Sequence, residues 1–141
     1  SISHKSTRNT KKNDMTENEL ATIAVDIAFR VHTALGPGLL ESVYESAFAY
    51  EPDKKGIAYT RQEEIPAKYE DIKLDVGFRA DIIIENKLLI ELKSIEAIEK
   101  VHHKTVLTYL RLADLKLGLL INFGTNLIKD CIYRKINGQL D

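Results

Sequence analysis

The stretch Val76-Gly77-Phe78-Arg79-Ala80-Asp81-Ile82-Ile83-Ile84-Glu85-Asn86-Lys87-Leu88-Leu89-Ile90-Glu91-Leu92-Lys93-Ser94 decides how this chain folds. It reads as two apolar, β-branched strands joined by a tight turn at Glu85-Asn86-Lys87. With the turn centred on Asn86, Ile84 pairs with Leu88, and Asp81 falls opposite Glu91. Strand side chains alternate faces, so Asp81, Glu91 and Lys93 then share one face. Ile82, Ile84, Leu88, Ile90 and Leu92 take the other. A slip of one residue would separate the two carboxylates. Charge inside an apolar hairpin is costly unless it is paired or metal-bound. Two readings fit these residues: a salt-bridged hairpin with one solvated face, or a carboxylate pair that takes a hard divalent cation such as Mg²⁺, with a lysine beside it.

The whole chain suits one domain with a real core: 141 residues, 44% hydrophobic and 29% charged. A net charge of −1 excludes a global basic field, so a nucleic-acid partner would have to meet a local patch. The single cysteine, Cys131, rules out an intrachain disulfide and reads as a small core residue. No apolar run approaches a membrane span, and no secretory signal is visible, which points to the cytoplasm. A domain this small can also self-associate, although nothing in the chain marks an interface.

Upstream, residues 1–14 are polar and basic, with Lys5, Arg8, Lys11 and Lys12. They read as a disordered tail appended before a natural start at Met15, or alternatively as a nucleic-acid-binding arm. The domain proper is expected over residues 15–141. Thr16-Glu17-Asn18-Glu19 is a capping box, and Leu20, Ile23, Ala24, Ile27, Ala28, Val31 and Leu35 form one apolar stripe of the helix it opens. His32, beside that stripe, reads as a packing or capping residue. Gly36-Pro37-Gly38 ends the helix. A second helix runs from Leu39 or Leu40 to about Lys55, with Glu41, Tyr44 and Phe48 on one face. Pro52 should kink it or end it early.

Further on, Ile57 to Glu64 reads as a strand broken at Pro66, with short pieces at Ala67–Tyr69 and Ile72–Leu74 before the central hairpin. A third helix spans about Glu99 to Ala113, with Val101, Val106, Leu107, Leu110 and Ala113 as its apolar positions. His102 and His103 are adjacent and diverge on a helix, so they read as surface residues. Lys100, Lys104, Arg111 and Lys116 form a modest basic face. Leu117 to Asn122 reads as a strand buried on both faces, and Leu127 to Ile136 as a last strand. The order predicts an α/β sandwich with a mixed sheet.

Several of these motifs together resemble the GxxExxY proteins, a branch of the PD-(D/E)xK nuclease superfamily. They are Gly38-Leu39-Leu40-Glu41-Ser42-Val43-Tyr44, the preceding His32-Thr33-Ala34-Leu35-Gly36-Pro37, Ala80-Asp81, Ile90-Glu91-Leu92-Lys93, Tyr109-Leu110 and Gly118-Leu119-Leu120-Ile121-Asn122-Phe123-Gly124. The match runs from about Met15 to Ile136. The resemblance implies a restriction-endonuclease-like sandwich, a central mixed sheet flanked by helices. It implies Mg²⁺- or Mn²⁺-dependent hydrolysis of DNA or RNA phosphodiesters, with a catalytically weak nucleic-acid-binding module as the alternative. Asp81 and Glu91 would hold the metal, with the Leu92 carbonyl as a third oxygen and Glu41 assisting. Lys93 would be the catalytic lysine, and Tyr44 would buttress the site. Members usually carry a glutamine where this chain has Thr105, which weakens whatever that polar side chain contributes. Pro52 also departs from the family pattern.

Overall fold

The computed structural model describes residues 14–140. Residues 1–13 lie outside the described residues, and with them all but the last residue of the expected tail. Helix α1 covers Glu17–Leu35 and α2 covers Glu41–Lys55; they are followed by strands β1 (Tyr59–Tyr69), β2 (Ile72–Ile84) and β3 (Leu88–Lys93). Helix α3 (Lys100–Ala113) then crosses over to β4 (Leu117–Asn122), and β5 (Ile132–Ile136) closes the chain. The five strands form one sheet in sequence order. β3 and β4 run parallel, and the other three pairs are antiparallel. A parallel pair needs a crossover, and α3 supplies it.

Both faces of the sheet are covered. Ile82, Ile84, Leu88, Ile90 and Leu92 pack with Leu20, Ile27, Tyr44 and Phe48 of α1 and α2. Ile83, Leu89 and Leu120 pack with Val106 and Leu110 of α3. This is the α/β sandwich with a mixed sheet that the order of elements predicted, and it is consistent with the restriction-endonuclease-like fold that the resemblance implied. Burial on two faces is why the central strands read as nearly continuous apolar runs.

Local chemistry fixes the ends of the elements. The capping box forms: the Glu19 amide donates to Thr16 Oγ1 at 3.1 Å, and the Thr16 amide donates to Glu19 Oε1 at 2.9 Å. Gly36, with φ of 73°, ends α1. The stripe curves off the core at its end, since His32 is buried while Leu35 is 39% exposed.

Three expectations need correction. Helix α2 does not end early at Pro52, but runs to Lys55. Pro52 opens the last turn with its ring buried, and its carbonyl accepts from the Ile57 amide at 2.9 Å, so packing and a helix-end bond offset the one i→i−4 bond it cannot donate. Strand β1 is not broken at Pro66. It continues to Tyr69 because Pro66 lies opposite Gly77 and the register shifts between Pro66 and Lys68. Such an irregularity is where a strand tolerates proline. Gly77 makes that approach feasible, since a Cβ there would come within 2.3 Å of the Ile65 carbonyl oxygen. The segment from Leu127 is not strand throughout: a 3₁₀ turn at Ile128–Asp130 precedes β5. In addition, Val101 is 60% exposed and forms no part of the core.

Candidate active site

The register of the central hairpin is the one the sequence suggested. Ile84 pairs with Leu88, Ile83 with Leu89 and Ile82 with Ile90. The turn places Glu85 and Asn86 at φ of 54° and 57°. The Glu85 carboxylate anchors it by accepting from the Ala58 amide at 3.0 Å. The ladder stops one step later, where Asp81 meets Glu91. There the side chains replace the missing backbone bonds. The Asp81 amide donates to Glu91 Oε1 at 3.0 Å, and the Leu92 amide donates to Asp81 Oδ2 at 2.8 Å. On the other side β1 also loses its pairing: Arg61 and Glu63 pair with β2, but Gln62 between them does not, and its φ is 54°. Strict alternation fails at the same place, since Ala80 packs on the α3 side and Ile82 on the α1/α2 side. The strands therefore splay apart around two carboxylates.

Those carboxylates are shielded from water and close together. Glu91 is 6% exposed. Burial, followed by the charge of Asp81, pushes its carboxyl up to about 8. Burial likewise raises Asp81 to about 6, against the bond from Leu92, with Glu45 and Glu41 adding repulsion. Lys93 favours the charged form of Glu91. Among the described residues, however, no ion pair joins Lys93 to either carboxylate. The salt-bridged hairpin with a solvated face is thus not what forms: both faces are covered, and the bridge is absent.

The other expected residues fall at graded distances. Glu41 opens α2 and accepts a long bond, 3.4 Å, from the Ser94 amide, just past Lys93. It acts on the pair through its charge. Among the described residues no three His, Cys, Asp or Glu side chains form a ready metal-ligand set. Tyr44 is fully buried and stacks on Phe123 at 4.5 Å. Its hydroxyl donates to the Gly36 carbonyl and accepts from the Leu39 amide, so it ties down the loop leading to Glu41. The Thr105 hydroxyl donates to the Val101 carbonyl of its own helix at 2.8 Å. His32 fills a packing role, with Nε2 2.7 Å from the Thr125 carbonyl oxygen. Of the adjacent histidines, His102 caps α3 by accepting from the Glu99 amide, and His103 packs edge-on against Tyr133. Cys131 is half-buried, 3.1 Å from the Thr125 hydroxyl.

Four residues to which the sequence reading gave no role in the site complete the setting. Gln62 Nε2 donates to Asp81 Oδ1 at 3.2 Å and to Glu45 Oε1 at 2.6 Å. Arg61 Nε donates to Glu45 Oε2 at 3.0 Å in an ion pair. Asn122 accepts from the amides of Ile95 and Gly124 and donates to the Ile95 carbonyl, pinning the segment after Lys93. Nothing in local pattern marks Gln62 or Glu45. They matter only once β1 is laid against β2 and α2 against both.

A family model for PD-(D/E)XK nucleases matches residues 18–135, a span holding every element of this site. The chain belongs to the PD-(D/E)XK nuclease superfamily. No curated protein and no solved structure matches it. The splayed hairpin thus lies in a PD-(D/E)XK sandwich, and nucleases of this superfamily generally use divalent metals. The residues present fit such an ion. Two carboxylates lie side by side, each with one oxygen anchored by a backbone amide, and Glu91 Oε2 takes no bond from a described residue. The Leu92 carbonyl leaves the strand on the same edge as its amide, toward Asp81. A hollow of about 910 Å³ between α1 and α2 is lined by residues such as Phe29, Ala34 and Tyr50 and by none of these carboxylates. Among the described residues no helix is long and apolar enough to cross a membrane.

Proposed function

We propose that this protein is a Mg²⁺- or Mn²⁺-dependent nuclease of the GxxExxY kind, hydrolysing phosphodiester bonds of DNA or RNA in the cytoplasm. The observation that carries the reading is the buried pair Asp81 and Glu91, each accepting from a backbone amide of the other's strand, with no ion pair to either among the described residues. A like-charged buried pair is unfavourable by itself, and a hard divalent ion relieves it with oxygen ligands. Asp81, Glu91 and the Leu92 carbonyl would hold that ion, with Glu41 assisting through its charge. When bound, the ion supplies polarisation of the phosphate and acidification of water. Lys93, half-buried at the end of β3, stabilises the charge that develops on the phosphate during attack. Gln62 holds Asp81, and the Asn122 clamp holds the chain after Lys93, so both reacting groups are fixed before substrate arrives.

A second reading, a binding module without turnover, draws on Thr105, whose hydroxyl is committed to its own helix. Divalent-dependent cleavage of plasmid, linear and single-stranded substrates decides between them. Cleavage that chelation stops, and that Asp81→Ala abolishes, supports the nuclease. Binding without cleavage across those substrates, unchanged by Asp81→Ala, supports the module.

A further inference from the structure

Beside the carboxylate pair, β2 and α3 border a groove of about 270 Å³ lined by Phe78, Val101, Lys104, Thr105, Thr108 and Tyr109. The rings of Phe78 and Tyr109 lie 5.1 Å apart at a tilt of 41°. Phe78 is 36% exposed and Val101 60%, so this apolar surface is left open to solvent. The hydroxyls of Thr105 and Thr108 donate to the carbonyls of Val101 and Lys104, which commits their polar atoms to the helix. Lys104, at the rim, makes no ion pair among the described residues.

From this we infer that the groove seats an unstacked nucleobase of a single-stranded nucleic acid whose phosphate lies at Asp81 and Glu91. The inference rests on the nuclease reading above and narrows its substrate class. An aromatic wall with a lysine at its edge suits a base face and its phosphate, and base faces are buried in an intact duplex. The groove's volume of about 270 Å³ leaves room for one nucleobase. Phe78 precedes Asp81 by three residues on β2, about 10 Å at strand rise, within reach of the nucleotide next to that phosphate. DNA and RNA share this chemistry.

The test is anisotropy of labelled single-stranded DNA and RNA, and of a blunt duplex of the same length, with chelator at low salt. Cleavage is followed separately with Mg²⁺ or Mn²⁺. Wild type should bind the single strands at least about 10-fold more tightly than the duplex. Phe78→Ala should weaken single-strand binding about 5- to 150-fold, the range alanine substitution of a stacking aromatic covers. Phe78→Trp should preserve it, and Val101→Glu, at an exposed site, should weaken it without touching the core. Equal or tighter duplex binding, or single-strand binding unmoved by both Phe78→Ala and Val101→Glu, overturns the inference. If the wild-type protein still cleaves, the nuclease reading survives that result. If no nucleic acid is bound or cleaved, both fall.

Discussion

Replacing Glu91 with glutamine should make the metal-free protein more stable near neutral pH. A carboxyl whose folded pKa lies above its unfolded value keeps an extra proton in the fold. Its contribution to stability is full below about pH 4.5, the ordinary value, and is lost as pH rises through about 8. A pK unit is worth about 1.4 kcal/mol, so the shift at Glu91 sets a ceiling of about 4 kcal/mol near pH 8. Protons shared with Asp81 and local relaxation reduce this, leaving about 2–3 kcal/mol. At roughly 3 °C per kcal/mol for a chain of this size, Tm in chelator should rise by roughly 5–10 °C. Glutamine keeps an oxygen for the Asp81 amide, so the fold is preserved. Near pH 4.5, where Glu91 is protonated anyway, the two proteins should melt within about 2 °C of each other. Thermal unfolding followed by circular dichroism at the two pH values reads this directly. A variant that melts at or below wild type near pH 8 without metal would refute the reasoning, because the pair would then carry no electrostatic strain.

Other substitutions probe the supports. Tyr44→Phe removes the hydroxyl that joins Gly36 to Leu39 and leaves two backbone groups without it, which should cost about 1–3 kcal/mol in urea unfolding. Gly124→Ala places a Cβ within 2.2 Å of the Ile95 carbonyl oxygen, and should lower stability by about 2 kcal/mol or more while reducing cleavage through displacement of the segment after Lys93. Lys93→Ala, at a half-buried strand end, should leave Tm nearly unchanged and lower the cleavage rate about 100-fold or more, measured under single turnover.

Much of the architecture was legible because it rests on local signals. The Thr16 capping box, the period of Leu20 to Val31 and the turn at Asn86 each depend on a few neighbouring residues. The Asp81–Glu91 meeting followed from the turn alone, since one register step fixes every later pair. Pro52 and Pro66 were misleading because their cost depends on position. Pro52 is held by burial of its ring near the helix end and Pro66 by the register shift beside it, and neither shows in composition. Gln62 and Glu45 were invisible for another reason: they reach Asp81 from β1 and α2, across contacts that only the assembled sandwich creates. Thr105 stood out by its departure from the family pattern, but only the coordinates show its hydroxyl turned back onto Val101.

The central claim is that Asp81 and Glu91 form a divalent-cation site. Titration calorimetry with Mg²⁺ and Mn²⁺, with and without an oligonucleotide to complete the coordination, tests it on wild type and Glu91→Gln. Wild type should bind the ion, and the variant should lose that binding while staying folded. If wild type binds neither ion under either condition, or if Glu91→Gln binds as well as wild type, the carboxylate pair is not a metal site and the proposed chemistry fails.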